Sequence, residues 1–301
     1  MNNPLFGIVI LNWNNYADTR DCVLSLFKSK YTNFFMVIVD NGSTDNSVQS
    51  LQTEFSDLHI VRNIVNMGVP CGYNVGFRYA LDHGADGIVM LNNDTIVDVN
   101  ALSEVVKYWD IPKLGVAVPV IYFAEEKDKI WTSGVKRKWF PPRFKMNCPH
   151  YYPGSEPISI EYAIGCCIVI KREVFQVIGF LDETIFFMWE DIDFSHRVRT
   201  QYKIIQIPKA RIWHKVSQTT NPKSELFWRM HGESSTIFFR RAYKFSCIIA
   251  VWYHIFFITR EFFFKKQHKF LKPFLQGVYS GVWKELHPIS YYESDKTYES
   301  V

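Results

Sequence analysis

Runs of oxygen-bearing side chains directly follow several apolar segments of this 301-residue chain. The first candidate for chemistry is Asn92-Asn93-Asp94, whose carboxamide and carboxylate oxygens suit a hard divalent cation such as Mg²⁺ or Mn²⁺. A cation held at Asp94 could neutralise a diphosphate as that group departs. An Asn/Asp turn explains the same residues, and for this segment alone it is the simpler interpretation.

A second candidate is the acidic segment from Asp182 to Asp193, which carries five carboxylates among aromatic and apolar residues. Apolar surroundings raise the pKa of a carboxyl group and prepare it to act as a general base. Asp191 and Asp193 cannot share one helical face, so we do not expect them to do the same job. Glu190 and Asp191 also suit a helix N-terminus because of its dipole, and a helix that begins beside an active site satisfies both interpretations.

A third candidate, Asp40, ends an apolar segment and is followed by Asn41 and Gly42. A carboxylate in that position could accept a hydrogen bond from the N3–H group of a uracil or thymine base. The alternative is a turn at Asn41-Gly42 with Asp45 capping the next helix. The two interpretations are compatible, because Asp45 can cap while Asp40 binds.

Small residues mark the next segment. Gly68 lies two residues before Pro70, which is typical of a loop that enters a helix at its first turn. Within that predicted helix Gly72, Gly76 and Ala80 share one face, where another backbone or a ligand can approach closely. Their four-residue spacing excludes the G-x-G-x-x-G dinucleotide fingerprint. Close packing is the expected role of this face, with ligand contact at the loop as an addition.

His214 stands between Trp213 and Lys215, after a strand predicted over Lys209–Ile212. A histidine there can ligate a metal, donate to a phosphate or lie satisfied in the core, and the residue type alone favours the core. The polar segment after it, residues 216–224, could fold over a ligand as a lid.

The elements that would position these residues alternate between strands and helices in the first half of the chain. Apolar runs predict strands over Phe6–Leu11, Met36–Val39, Leu58–Val61 and Gly87–Leu91. Helical spacing occupies the intervals over Tyr16–Lys28, Ser47–Phe55, Cys71–His83 and Ala101–Trp109. This alternation predicts an α/β fold whose mostly parallel sheet has helices on both faces and binds ligands at the carboxyl ends of its strands.

The pattern changes after Gly115. Strands are predicted over Val116–Phe123 and Ile158–Ile170, and helices over Arg172–Ile178 and Glu190–Gln201. Residues 124–157 are charged, aromatic and proline-containing, so we expect an irregular segment there. Irregular segments of that length are uncommon unless they are functional.

Composition and charge exclude several classes of protein. A hydrophobic content of 48% argues against disorder, and a net charge of +4 is too small to predict nucleic-acid binding across the chain. The six cysteines form no CxxC pair and no His/Cys cluster with zinc spacing. The first residues lack the layout of a signal peptide, so we expect a reducing, cytoplasmic location.

The residues after Glu225 are predicted to form an aromatic and basic helical extension. The segment Phe245–Phe264 is long enough to cross a bilayer, although His254, Arg260 and Glu261 interrupt it. Basic residues flank it between positions 240 and 272, and this combination suits a helix that lies in a membrane interface. A helix packed on the rest of the protein is equally compatible with the sequence, and a true membrane span is less so.

Taken in order, these segments resemble the family 2 inverting glycosyltransferases, which have the GT-A fold. The resemblance is closest to the bacterial rhamnosyltransferase-like branch that builds surface polysaccharides. It extends over residues 5–220, and its specificity lies in the order and spacing of the segments. The matching segments are Ile8–Trp13, Val39–Asp45, Asn66–Gly76, Leu91–Asp94, Gly165–Arg172, Gly179–Glu183, Glu190–Asp193 and Trp213–Lys215.

The resemblance implies a role for each candidate residue. Asp94 stands at the last position of the DxD metal motif, with Asn92 where that motif often has Asp, and His214 would be a second metal or diphosphate ligand. Asp191 matches the general base, and Glu190 would orient either that base or the acceptor. Asp40 would bind a pyrimidine base, and the other expected donor contacts are Asn12, Asn41, Gly68, Asn74, Asn92 and Asn93.

The expected organisation is a GT-A catalytic domain over residues 1–224, with a donor half over 1–115 and an acceptor half over 116–224. The helical extension over residues 225–301 would contact the inner face of the plasma membrane. The implied reaction uses Mn²⁺ or Mg²⁺ and moves a sugar from dTDP-rhamnose or a UDP-hexose to a glycan or lipid-linked acceptor.

Two other functions are weighed against this one. A nucleotidyltransferase should carry a glycine-rich loop with Lys or Arg near its N-terminus, and Leu11–Asn15 has neither. A sugar-nucleotide-binding protein without catalysis would not need both Asp94 and Asp191, which this sequence retains.

Overall fold

The computed structural model describes residues 3–132, 134–138, 143–146, 156–216, 224–243 and 246–293. The strands in this part of the chain are β1 (Phe6–Asn12), β2 (Phe34–Asp40), β3 (His59–Arg62), β4 (Gly87–Asn92), β5 (Thr95–Val97), β6 (Leu114–Phe123), β7 (Ile130–Thr132), β8 (Val135–Lys138), β9 (Arg143–Met146), β10 (Ile158–Ser159), β11 (Cys167–Lys171) and β12 (Lys203–His214). The helices are α1 (Tyr16–Leu26), α2 (Ser47–Glu54), α3 (Val69–Asp82), α4 (Ala101–Val106), α5 (Arg172–Val177), α6 (Glu190–Val198), α7 (Glu225–Tyr243), α8 (Cys247–Phe264) and α9 (Leu271–Trp283).

One mixed sheet forms the centre of the molecule, with the strand order β10-β12-β6-β11-β4-β1-β2-β3. The strands β4, β1, β2 and β3 are mutually parallel, and β12 is parallel to β6. The strand β11 runs antiparallel to both of its neighbours, β4 and β6, so those two strands point the same way. The carboxyl ends of β1, β2, β4 and β12 therefore lie along one edge of the sheet.

Helices cover both faces of this sheet, as the alternating pattern predicts. Successive residues of β1 point to opposite faces, so Ile8 and Ile10 join one buried cluster and Val9 joins the other. The first cluster includes residues of α1 and α4, and the second includes residues of α3, α5 and α6. Burying both faces explains why the strands read as continuous apolar runs.

The small face of α3 packs directly on the sheet. A Cβ atom added to Gly76 would lie 2.3 Å from Val9 Cγ1 and 2.8 Å from Val39 Cγ2, and one added to Gly72 would lie 2.5 Å from Leu11 Cδ1. Those distances are too short for any real contact, so only glycine allows the helix to lie this close. The prediction of close packing on this face is confirmed.

Three predictions about strands are wrong in detail. The apolar run Ile158–Ile170 is two strands, because the chain leaves edge strand β10 and enters β11 at the centre of the sheet. Residues 124–157 contain the strands β7, β8 and β9 rather than irregular structure alone. The last strand, β12, begins at Lys203 rather than Lys209, since an irregularity in its pairing between Ile207 and Arg211 lets it continue past Pro208.

The C-terminal extension is helical, as predicted, and α7 and α9 pack closely against each other. A Cβ atom on Gly277 would lie 1.9 Å from the carbonyl oxygen of Arg229, and one on Gly281 would lie 2.6 Å from that of Glu233. On its other side α7 contributes Phe238 and Phe239 to a buried cluster with residues of the preceding chain. Within the described residues α8 alone is long and apolar enough to cross a membrane, judged by length and composition.

The close approach of α3 to β1 makes a stability prediction. Alanine is favoured over glycine in helices by about 1 kcal/mol, whereas overpacking a rigid core costs about 1–3 kcal/mol. Because Val9 is buried and β-branched, we expect Gly76→Ala to lower the free energy of unfolding in urea. The double variant Gly76→Ala/Val9→Ala should lose less than the sum of the two single variants. A Gly76→Ala protein as stable as the wild type would contradict the packing.

Candidate active site

Asp40, the last residue of β2, is buried and held by hydrogen bonds. Its Oδ1 accepts from Asn12 Nδ2 at 3.1 Å, and its Oδ2 accepts from the backbone N–H of Ser43 at 3.3 Å. Asn12 is itself fully buried at the end of β1, where its Nδ2 also contacts Ser47 Oγ and its Oδ1 accepts from Thr19 Oγ1 at 2.8 Å. Asn12 therefore orients the Asp40 carboxylate. Direct contact between Asn12 and a donor stays a prediction.

Asn41 organises the loop that precedes α3. Its Nδ2 donates to Asn66 Oδ1 and to the carbonyl oxygen of Gly68, each at 3.0 Å. Its Oδ1 accepts from Asn63 Nδ2 at 3.1 Å. Gly68 has a φ of +88°, and a Cβ atom there would lie 2.6 Å from the carbonyl oxygen of Phe186, so the loop needs glycine for two reasons.

Asn74, in α3, lies on the inner side of the helix rather than at the sheet edge. Its Nδ2 donates to the carbonyl oxygen of Leu181 at 3.0 Å and to Glu183 Oε1 at 2.8 Å. Its Oδ1 accepts from the backbone N–H of Leu181 at 3.1 Å. In this arrangement Asn74 fastens the acidic segment before α6 to the helix, and contact between Asn74 and a donor stays a prediction.

Asn92 ends β4 and Asn93 follows it, and their side chains contact residues of α3 and α1. Asn92 Oδ1 accepts from the hydroxyl of Tyr73 at 3.0 Å, and Asn93 Nδ2 donates to Thr19 Oγ1 at 2.9 Å. Burial raises the pKa of Tyr73 well above its usual value, and nearby Asp94 and Glu190 add to this effect. Tyr73 thus lies near both Asp94 and Glu190, although these two residues are far apart in the sequence.

Asp94 and His214 form a pair at the same edge. His214 Nε2 lies 3.1 Å from Asp94 Oδ1, and both side chains are about nine-tenths buried. The pairing follows from the fold, since His214 ends β12 opposite Thr95 of β5 and the N–H of Lys215 donates to the carbonyl oxygen of Asp94. Trp131 packs edge-on against the His214 ring at a centroid distance of 4.6 Å.

This pair fits a divalent cation. A carboxylate oxygen and an imidazole nitrogen can both ligate such a cation, and Asp94 Oδ1 and His214 Nε2 lie 3.1 Å apart. His214 Nδ1 is buried without a hydrogen-bond partner among the described residues. No group of three or more His, Cys, Asp or Glu side chains in that part of the chain could share one ion. The pair would therefore supply two ligands and leave the remainder to a diphosphate and water.

Asp191 lies in the first turn of α6 and faces the turn that enters β11. Its Oδ2 accepts from the backbone N–H of Gly165 at 2.9 Å, and its Oδ1 accepts from that of Ile192 at 2.7 Å. A Cβ atom on Gly165 would lie 3.5 Å from Asp191 Cβ. The turn at Gly165 lies inside the run Ile158–Ile170, which the sequence predicts as one strand. This turn positions the Asp191 carboxylate.

Glu190 and Asp191 cannot both be ionised easily in this setting. Burial, together with the neighbouring charge of Asp191, raises the pKa of Glu190 to about 8. Burial also raises the pKa of Asp191, but its two backbone N–H donors oppose that rise by stabilising the carboxylate. Of the two carboxyl groups, Asp191 is therefore the one whose charged form the backbone stabilises.

Several site residues carry no clear signal in the sequence. Gly165 acts through its backbone, and Tyr73 reads as a core aromatic of α3. Trp131 lies in a segment expected to be irregular, and its contact with His214 depends on strand pairing between β6 and β7. Lys215 donates to Asp18 and Asp21 of α1 at 2.8 and 2.7 Å. Residues 217–223, which include most of the predicted lid, lie outside the described residues.

The site joins buried carboxylates, a carboxylate–histidine pair and a glycine-bearing loop at the carboxyl edge of an α/β sheet. The model of glycosyl transferase family 2 matches residues 7–179, more than half of the chain, and the chain belongs to that family. The match includes Asp40, Gly68 and Asp94, whereas Asp191 and His214 lie beyond it.

Curated relatives agree with this assignment. The chain is 20% identical over 217 residues to the dTDP-rhamnosyl transferase RfbF of Shigella flexneri, covering 72% of this chain and 70% of that protein. It is 22% identical over 227 residues to the N-acetylglucosaminyl-diphospho-decaprenol L-rhamnosyltransferase of Mycobacterium tuberculosis, covering 67% and 73%. The rhamnosyltransferase-like resemblance is confirmed.

Solved structures show the GT-A fold. The mannosyltransferase PcManGT of Pyrobaculum calidifontis, in complex with GDP-Man and Mn²⁺, has a TM-score of 0.59 at 13% identity and covers 94% of this chain and 88% of its own. GalNAc-T7 with UDP, GalNAc and Mn²⁺ has a TM-score of 0.59 at 17% identity. The match covers 78% of this chain and half of the GalNAc-T7 chain. The predicted α/β fold of the GT-A type is confirmed.

The raised pKa of Glu190 makes the stability of the protein depend on pH. The folded protein retains a proton at Glu190 up to about pH 8, whereas the unfolded chain releases it near 4.5, so wild-type stability falls as pH rises through that window. Glu190→Gln removes this penalty. We expect it to raise the free energy of unfolding by roughly 2–4 kcal/mol at pH 9 and by much less at pH 5.

Urea unfolding at the two pH values measures this difference. Glu125→Gln, at an exposed position, is the matched control and should change stability little at either pH. An equal effect of Glu190→Gln at pH 5 and pH 9 would contradict the burial of this carboxyl group.

Proposed function

We propose that this family 2 enzyme is a metal-dependent inverting glycosyltransferase. It transfers a rhamnosyl or hexosyl group from dTDP-rhamnose or a UDP-hexose to a glycan or lipid-linked acceptor in bacterial surface polysaccharide synthesis. The observation that carries this proposal is the pairing of Asp94 with His214 at the sheet edge that also bears Asp191. A site for diphosphate departure and a single available base are the two requirements of an inverting transfer.

Asp94 and His214 would hold the ion, Mn²⁺ or Mg²⁺, at the carboxyl edge of the sheet. When bound, such an ion supplies positive charge to the diphosphate as it leaves. Asp191 takes the proton from the acceptor hydroxyl, whose oxygen attacks the anomeric carbon from the face opposite the diphosphate. One displacement inverts the anomeric configuration without a sugar–enzyme intermediate, so a second nucleophilic carboxylate is unnecessary. Glu190, neutral at pH 7, leaves Asp191 as the base.

Asp40 supports a pyrimidine nucleotide in the donor. Its carboxylate is held rigidly by Asn12 and by the backbone of Ser43, with Arg62 Nε 3.9 Å away. A fixed acceptor of this kind suits the N3–H group of uracil or thymine. Two of the similar proteins are named as rhamnosyltransferases, and one of these is named for dTDP-rhamnose, so that donor is the first to test.

Replacing the two acids separately should divide binding from chemistry. We expect Asp191→Asn to lower kcat by at least about 100-fold, because the base is lost, while donor binding survives. Asp94→Asn should instead abolish the stabilisation that Mn²⁺ and a nucleotide sugar together give in a thermal shift, since bound donor raises the melting temperature by mass action. A panel of dTDP- and UDP-sugars identifies the donor in the same assay. Near-normal turnover of Asp191→Asn would remove that residue from the role.

The exposed face of α8 supports contact with a membrane. Ile248, Ile249, Trp252, Phe256 and Phe263 lie on this face and are each more than 60% exposed. The opposite face packs on the protein, with Ala250 and Phe262 buried, so the helix lies along the surface instead of standing free.

A second exposed apolar face lies on α9, where Tyr279 and Trp283 are more than two-thirds exposed. The exposed lysines 265, 266 and 269 lie between the two helices in the chain, exposed Lys272 lies in the first turn of α9, and all four would meet anionic headgroups. These features favour an anionic bilayer surface as the partner, which is where a lipid-linked acceptor would be found.

A flotation assay tests the membrane contact. We expect the wild-type chain to float with liposomes that contain anionic lipid, and Trp252→Glu/Phe256→Glu to stay in the soluble fraction, because charges in that face oppose insertion. Phe27→Glu is the matched control, since Phe27 is 57% exposed at the end of α1 and should not affect flotation. A wild-type chain that remains wholly soluble with anionic liposomes would refute the proposal.

A further inference from the structure

The two residues before the Glu190–Asp191 pair have a strained backbone. Met188 has a φ of +62° and Trp189 a φ of +70°, in the left-handed region that large side chains rarely adopt. Two such residues in succession persist only where their surroundings hold them in place, and strain of this kind collects at functional sites. The carbonyl oxygen of Trp189 also accepts from the N–H of Asp193 at 2.8 Å, so Trp189 sets the start of α6.

Helix α7 of the C-terminal extension holds this strained turn. Trp189 Nε1 donates to His231 Nδ1 at 3.0 Å, and Ser234 Oγ donates to the carbonyl oxygen of Phe187 at 2.8 Å. The rings of Phe238 and Phe239, also on α7, lie 5.5 and 5.7 Å from the Trp189 ring. Two hydrogen bonds and two aromatic contacts from one helix therefore reach Phe187 and Trp189, on either side of Met188.

His231 has the protonation state that this hydrogen bond requires. An indole N–H can only donate, so its partner nitrogen must carry a free lone pair. Exclusion of water lowers the pKa of His231 to about 4, which keeps the ring neutral at physiological pH. The rings of Phe227, Trp228 and Phe274 surround His231 and account for that exclusion.

The same turn is fastened on its other side to the loop before α3. The backbone N–H of Val69 donates to the carbonyl oxygen of Phe186 at 2.8 Å, next to Gly68. The segment 186–189 thus spans from the glycine-bearing loop to α7, and Asp191 follows it within two residues.

We propose that Trp189 and His231 are positioning residues, and that through their hydrogen bond α7 helps to position the active site. The bond holds the strained turn and thereby keeps Asp191 aligned with the acceptor hydroxyl. This inference rests on the proposed role of Asp191 as the base. It assigns to the C-terminal extension a part in catalysis in addition to its contact with the membrane.

The test removes the hydrogen bond and keeps the rings. Trp189→Phe loses the donor, and His231→Phe loses the acceptor while remaining aromatic. For each variant we expect kcat to fall about tenfold, with the KM for the nucleotide sugar unchanged, because the base is misaligned while the donor loop is intact. The double variant should fall little further, since both changes break one bond. His231→Asn, which offers an acceptor oxygen near the position of Nδ1, should recover part of the loss.

Hydrogen exchange gives a readout that does not depend on activity. We expect amides 187–192 to exchange about three- to tenfold faster in Trp189→Phe than in the wild type, as befits the loss of one hydrogen bond. Ser235→Ala is the matched control, because its hydroxyl bonds within α7 to the carbonyl oxygen of Gly232. That variant should leave both kcat and the exchange of residues 187–192 unchanged.

The outcomes separate the two proposals. Unchanged exchange in Trp189→Phe would overturn the claim that the bond holds the turn. Faster exchange with an unchanged kcat would overturn its role in catalysis. A raised KM with an unchanged kcat would place the effect in donor binding and also overturn alignment of the base. A wild-type chain that transfers no sugar would refute the proposed function, while the exchange experiment would still decide whether His231 holds the turn.

Discussion

Buried carboxylates at the carboxyl edge of the sheet are the constraint to which the rest of this site is fitted. A charged group removed from water is costly unless hydrogen bonds or opposite charge compensate it. Asp40 is compensated by Asn12 and by the backbone N–H of Ser43, and Asp191 by the N–H groups of Gly165 and Ile192. Asp94 lies against His214. Among the described residues Glu190 Oε2 has no hydrogen-bond partner, and burial raises the pKa of this carboxyl group to about 8.

Close packing of α3 and of the C-terminal extension supports this arrangement. The glycine face of α3 lets the helix lie on β1 and β2, which brings Asn74 within reach of the acidic segment before α6. The C-terminal extension meets the same segment from the opposite direction, through His231 at Trp189 and through the ion pair of Arg241 with Asp182. The turn that precedes Asp191 is therefore held between α3 and α7.

The sequence predicts those strands and helices that are defined by residues close together in the chain. The strand Phe6–Leu11 and the helix Cys71–His83 agree with the structure to within two residues, because a buried parallel strand is a short continuous apolar run and this helix repeats small residues every four positions. The candidate residues Asp40, Asp94 and His214 were found because oxygen- and nitrogen-bearing side chains follow apolar runs. The prediction of one strand over Ile158–Ile170 is wrong because apolar character alone does not reveal a turn inside the run.

The sequence by itself determined the α/β class, the residues that could do chemistry and, by resemblance, the family. The tertiary structure alone decided which of those residues meet. Asp94 and His214 are separated by over a hundred residues and touch because β12 runs parallel to β6 beside the short strand β5. The contact of Trp189 with His231, and the protonation of Glu190, depend on burial by distant parts of the chain, which no local pattern encodes.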